Sequence, residues 1–283
     1  MSEINFMGRT DVDLHLHTWY SDGATSPASV VDWAAKRGLT MIAITDHDGV
    51  DGIDEAALAA AALPGRGMEV IPGIELSTEF DGEDARGTGL HILGYHIDRH
   101  DRELTETCEE VRRARRNRNE RLLQRLSEAG YPLELSQLVA REGQDFIGKP
   151  NIARAMVKQG YIADTQTAFR DIFSRPEMRA VKKKKISSSR AVQLIKAAGG
   201  IPVLAHPGLI RHIGRRESGE FFTVFKRMLD ELCGFGVQGL ECDYAEHSPA
   251  ERETFAAIAR EHGLAITRGS DYHGDDSHGS FDI

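Results

Sequence analysis

Two hydrophobic rhythms alternate along the chain. Short apolar runs and runs with a period of two read as strands; stretches whose apolar positions recur at three and four residues read as helices. Strands are expected at 11–17, 41–45, 69–72, 89–96, 201–205, 237–240 and 264–268, seven in all. Helices are expected from Ser26-Pro27 onward and over 54–62, 101–129, 150–160, 164–173, 188–198, 221–235 and 249–262. Ser26 is a good N-cap, and Pro27 loses no needed N–H in a first helical turn. Pro64-Gly65 and Gly199-Gly200 stop the helices that precede them. Strands alternating with helices imply a parallel sheet with right-handed crossovers.

Polar residues then change the picture. In DVDLHLHTWYSDG (11–23), Asp13, His15 and His17 alternate with Val12, Leu14 and Leu16, so both imidazoles are expected on one strand face and the apolar residues on the other. Two imidazoles on a rigid strand can grip a metal ion; a pair of surface histidines is the bland alternative. Later strands repeat the arrangement. Strand 41–45 ends in Asp46-His47-Asp48, 69–72 in Gly73-Ile74-Glu75, 201–205 in His206-Pro207, 237–240 in Glu241 and 264–268 in Gly269-Ser270-Asp271-Tyr272-His273, while 89–96 begins near His91. Active sites of β/α barrels are built at the carboxyl ends of the strands. The expected fold is α/β, a distorted (β/α)7 barrel with a multi-metal site at its mouth. An open doubly wound sheet is the alternative, but it would gather ligands at one switch point.

The rhythm breaks between the strands at 89–96 and 201–205. The long helix over 101–129 places Val111, Leu122, Leu123 and Leu126 on one side, and Arg115, Arg118 and Asn119 fall on that same side. Exposed arginines normally sit opposite an apolar stripe, so these are expected to face an enclosed charged cleft. The expected organisation is a barrel from 1–99 and 186–283 carrying a basic helical insertion at 100–185 that caps the mouth and neutralises an anionic substrate. A solvated basic face is the alternative, and for Lys182–Lys185 alone it is the expectation.

Composition adds bounds. At 283 residues, 40% of them hydrophobic, the chain suits one large domain with a sizeable core. A formal charge of −9 gives no whole-surface attraction for long duplex nucleic acid or membrane. The N-terminus lacks an apolar signal core, and Cys108, Cys233 and Cys242 form no CxxC and leave one thiol unpaired, which suits a reducing cytoplasm. The pattern is neutral on oligomeric state.

The ordered set HLH (15–17), SDG (21–23), TDHD (45–48), GIE (73–75), His91, AHP (205–207) and SDYH (270–273) resembles the PHP (polymerase and histidinol phosphatase) superfamily of metal-dependent phosphoesterases, over nearly the whole chain. The helical insertion between His91 and His206 resembles that of its small nucleotide phosphatase branch, whose members dephosphorylate 3',5'-nucleoside bisphosphates and in some cases trim short 5'-phosphorylated RNA. The resemblance implies three ions: one held by His15, His17, Glu75 and Asp271, a second by Glu75, His91 and His206, and a third by Asp22, His47 and His273. Mixed imidazole and carboxylate donors suit Mn²⁺ first, then Zn²⁺ or Fe²⁺, and suit Mg²⁺ or Ca²⁺ poorly. The absence of cysteine from the set argues against a structural zinc.

Such a cluster would lower the pKa of a bridging water and clamp phosphoryl oxygens, so a metal-bridged hydroxide attacking phosphorus in line is expected. The implied substrate is a small nucleotide, yielding a monophosphate such as AMP, or a short oligonucleotide. Asp48 is a candidate proton relay or a partner orienting a ligand, His247 a candidate acid for the leaving group, and Asp13 a buttress. Arg115 and Arg118 match paired arginines that resemble phosphate binders, with Asn119 beside them; Lys149 and Asn151, in GKPNIAR, stand where relatives often carry arginine and histidine. Competing readings are a 5'-3' exoribonuclease, a histidinol-phosphate phosphatase and an inactive accessory module, the last disfavoured because every implied ligand is present.

Overall fold

Eight strands form one sheet in the computed structural model, which describes residues 9–65, 67–139, 146–216 and 218–274. The elements run β1 (Val12–Leu16), α1 (Pro27–Lys36), β2 (Met41–Ile44), α2 (Ile53–Ala61), β3 (Glu69–Glu79), β4 (Gly89–Tyr95), α3 (Arg102–Glu128), α4 (Lys149–Lys158), the single turn α5 (Thr165–Thr167), α6 (Pro176–Arg179), β5 (Ile186–Ser187), α7 (Ser188–Ala197), β6 (Ile201–Leu204), α8 (Gly219–Phe235), β7 (Gly239–Tyr244), α9 (Pro249–Glu261) and β8 (Ala265–Gly269). Helix boundaries follow the expected caps: Ser26 accepts from Ser29 N–H, and Ser248 with Glu251 forms a capping box ahead of α9.

The strand order is β1-β2-β3-β4-β6-β7-β8, with the short β5 against β3. The two ends of this order meet. Leu16 bridges Tyr272, His17 N–H donates to the Tyr272 carbonyl at 2.9 Å, and Ser270 N–H donates to Asp13 Oδ1 at 2.9 Å. The result is a distorted, nearly closed barrel.

The expectation of a wholly parallel sheet fails at β4, which runs antiparallel to both β3 and β6. No crossover helix links β3 to β4. A loop does, closed by Phe80 N–H to the Thr88 carbonyl at 2.7 Å and Gly87 N–H to the Phe80 carbonyl at 2.8 Å, and a short link of this kind permits only an antiparallel neighbour. Gly87 takes φ +87°, where a side chain would be strained. Because β4 enters at the rim where the parallel strands leave, His91 near its start still reaches the mouth. β3 also continues beyond Pro72 to Glu79, so Glu75 lies within the strand.

Strand β1 holds a second departure. Val12 and Leu14 pack with Ala43, Ile71, Leu93 and Val203 in a cluster built from the strands and their ends, whereas Leu16 joins Ile42 and Ile44 in the larger cluster that includes the helices. The pairing of β1 with β2 shifts register between Asp13 and Leu16. The strict alternation read from the sequence is therefore broken just where the histidines begin, and such irregularities re-aim side chains next to active sites.

A third cluster, including Leu122, Leu126, Ile152, Met156, Ile172 and Met178, lies within residues 122–181. Arg115, Arg118 and Asn119 are buried on the same side of α3 as Leu122 and Leu126, as the spacing implies. The solvated reading of Lys182–Lys185 holds for half of the run. Lys182 and Lys184 are exposed, but Lys183 Nζ lies 3.2 Å from Asp48 and Lys185 Nζ donates to the Thr78 carbonyl at 3.3 Å. Among the described residues, no helix is long and apolar enough to cross a membrane.

Candidate active site

All nine candidate ligands converge at one end of the barrel. Donor atoms fall into three groups, each within 4.8 Å: His15, His17, Glu75 and Asp271; His17, Asp22, His47 and His273; and His47, Glu75 and His91. Glu75 is central. Its Oε2 lies 3.4 Å from His15 Nε2, 3.3 Å from His17 Nε2 and 2.8 Å from His47 Nδ1. Its Oε1 lies 2.8 Å from His91 Nδ1 and 3.0 Å from His206 Nε2. The first implied ligand set coincides with the first group. The other two differ: His17 joins Asp22, His47 and His273, and His47 stands in place of His206 beside Glu75 and His91, His206 reaching the cluster through Glu75 Oε1.

The donors fit cations. His15 Nε2, His17 Nε2, His47 Nδ1, Asp22 Oδ1 and Glu75 Oε2 are buried and make no hydrogen bond. Buried polar atoms are normally paired, and here the unpaired ones face one another. Burial disfavours charge on Glu75, Asp22 and Asp271, yet the surrounding imidazoles outweigh it and hold all three carboxyls well below their usual range. Burial likewise opposes charge on His17, but Asp271 and Glu75 lift it to about 10. At His91 burial prevails over Glu75 and lowers the imidazole to about 4. This concentration of negative charge is what a divalent ion would answer in place of protons.

A surrounding layer orients the donors. Glu241 Oε1 lies 3.0 Å from His15 Nδ1 and Oε2 accepts from His206 N–H at 2.7 Å, so one buried carboxylate sets two ligands. Asp46 accepts from Thr18 N–H, Thr18 Oγ1 and Ser21 Oγ at 2.8, 2.7 and 2.5 Å, folding the loop that presents Asp22. Tyr244 donates to Asp271 Oδ2 at 3.1 Å. Asp13 acts as the expected buttress, accepting from the His15 and Ser270 amides. From sequence, Glu241 and Asp46 were read only as strand-end residues, with no role assigned.

Two candidate catalytic residues are committed elsewhere. Asp48 Oδ1 accepts from Ser77 N–H at 2.9 Å, and Oδ2 pairs with Arg115 and Lys183. Burial would raise its carboxyl, but Lys183 and Arg115 hold it well below the usual range. His247 Nδ1 donates to the Cys242 carbonyl at 2.9 Å while Nε2 accepts from Gly208 N–H at 3.1 Å. Both ring nitrogens are thus used in steadying the turn after His206.

A cavity of about 820 Å³ opens onto the cluster. Lys149 lines it, together with Lys185, which was expected to be solvated, and with Arg154 and Arg211, to which the sequence reading gave no role. Arg115, Arg118, Asn119 and Asn151 do not line it. Arg115 stacks on Phe146, 4.0 Å from the ring centroid, while pairing with Asp48. Arg118 donates to Asn119, whose amide donates to the Ile147 carbonyl. Asn151 accepts from Gly148 N–H at 2.8 Å, capping its own helix.

A barrel mouth packed with imidazoles and carboxylates beneath a cationic cavity defines a metal-dependent hydrolase. The PHP domain model matches residues 13–216, and the chain belongs to the PHP domain family. It is 33% identical to the 3',5'-nucleoside bisphosphate phosphatase of Chromobacterium violaceum over 271 residues, 93% of this chain and 87% of that protein. It is 29% identical to the 5'-3' exoribonuclease of Haemophilus influenzae over 261 residues, 92% of this chain and 89% of the other. A solved structure described as an amidohydrolase from Chromobacterium violaceum, with bound sulfate and no metal, aligns with TM-score 0.84 at 32% identity, covering 96% of this chain and 90% of that one.

Proposed function

We propose that the protein is a phosphatase that removes one phosphate from 3',5'-nucleoside bisphosphates to leave the monophosphate. The observation that carries this reading is the convergence of unpaired, buried ligand atoms at a cavity whose walls hold Lys149, Arg154, Lys185 and Arg211. His15, His17, Glu75 and Asp271 would hold one ion, Glu75 with His91 and His206 a second, and Asp22, His47 and His273 a third. This donor set suits manganese, with zinc or iron admitted. Bound ions supply Lewis acidity and a water-derived nucleophile at neutral pH. Glu241 and Tyr244 keep the donors aimed, and the wall cations bind the phosphates of the substrate. In this reading residues 100–185 form a cap over the mouth, and three free cysteines suit a cytoplasmic protein. The cavity, about 820 Å³, is of ordinary size for a small-molecule ligand; the likeness to a 5'-3' exoribonuclease keeps trimming of a short oligonucleotide as a second reading.

Phosphate release from AMP, adenosine 3',5'-bisphosphate, a 5'-phosphorylated dinucleotide and histidinol phosphate, with Mn²⁺ or with chelator, tests the proposal. Fast manganese-dependent release from the bisphosphate is expected. Preference for the dinucleotide selects the second reading, and preference for histidinol phosphate overturns both.

Lys149 gives the site a pH dependence. Burial, followed by repulsion from Arg118 and Lys185, lowers its ammonium to about 8. It is charged below that pH and neutral above it, so KM for an anionic substrate should rise as pH passes upward through 8. The substrate's phosphates are already dianionic there. Lys149→Arg, which stays charged, should flatten the rise; an unchanged profile removes Lys149 from the binding site.

A further inference from the structure

Beyond its cations and ligands, the cavity wall carries Phe169, which is 44% exposed. A singly exposed apolar residue is ordinary, but the other large exposed hydrophobics, Leu58 and Leu135, lie off the cavity. Among the described residues lining the cavity, Phe169 is the one aromatic ring apart from histidine. It projects from a wide helical turn over Ala168–Ile172, and the buried ring of Phe173 holds it edge to face, with centroids 5.3 Å apart at 79°. Lys149 Nζ sits 5.2 Å from the centroid of that same Phe173 ring. One buried ring thus fixes both an exposed aromatic surface and a cavity cation, an arrangement that offers a nucleotide a flat surface for its base beside a charge for its phosphate.

We infer that Phe169 is the stacking platform for the substrate's nucleobase, a specificity determinant resting on the nucleotide reading above. Stacking needs only a π-face, so the platform accepts purines and pyrimidines alike. Thr165 and Gln166, also on this wall, offer polar atoms to base edges.

The test compares KM for adenosine 3',5'-bisphosphate with KM for 1-O-methylribose 3,5-bisphosphate, which lacks the base, in the manganese-loaded protein. Phe169→Ala should raise KM for the nucleotide by roughly tenfold or more while leaving KM for the base-less substrate unchanged, and Phe169→Trp should restore the nucleotide value. Phe169 is exposed, so folding is not at stake. Unchanged nucleotide KM in an active Phe169→Ala variant overturns the platform alone, as does an equal rise for both substrates. A wild-type protein silent on both substrates overturns the phosphatase reading and the platform with it.

Discussion

Glu75→Ala should remove most of the bound metal and reduce phosphate release by more than the roughly 10²–10³-fold that follows loss of one stabilising donor elsewhere. The reason is its position. The carboxylate faces His15, His17 and His47 through one oxygen and His91 and His206 through the other. Removing it separates two donor groups and leaves five imidazoles with far less negative charge between them. Metal content of the desalted variant, measured by elemental analysis beside a circular dichroism spectrum, separates this from misfolding. A folded Glu75→Ala protein with wild-type metal content would sink the shared-ligand assignment.

Most of this site was legible because metal chemistry constrains residue type at each position. Histidine and carboxylate at strand ends read the same whatever the strand direction. Direction itself left little trace: the apolar run in 89–96 reads the same for a parallel or an antiparallel strand, so the direction of β4 was misread while its position and His91 were found. The register shift in β1 was hidden for a related reason, since Val12, Leu14 and Leu16 alternate perfectly on paper. Lys183 and Lys185 were obscured by composition, because four consecutive lysines look solvated, whereas the fold turns alternate ones inward. Arg154 closes the GKPNIAR stretch in which only Lys149 and Asn151 were marked, and Arg211 had no motif around it; folding brings both arginines to the cavity.

Asp48→Ala should cost about 3–5 kcal/mol of stability, the usual penalty for removing one partner from a buried charge network. Arg115 and Lys183 are left facing each other without their shared anion, and Ser77 N–H loses its acceptor. At roughly 2–4 °C per kcal/mol for a chain of this size, Tm should fall by about 6–20 °C, read by calorimetry. The carboxyl is held below its usual range, so its stabilisation is present above the unfolded-state pKa and is lost only as pH falls through the folded value. A relay role predicts the opposite pattern, an unchanged Tm with a collapsed kcat.

The contact between β1 and the end of β8 bears on the order of assembly. It joins Asp13 to Ser270 across almost the whole chain, so the entropy of closing that loop is spent before any compensating contact forms. The seam is therefore expected among the last parts of the barrel to zip and the first to breathe. His15 and His17 lie on one lip, Asp271 and His273 on the other. An ion gripping both lips would act as a clasp on the circle, slowing amide hydrogen exchange at the seam well before it altered the distant helices.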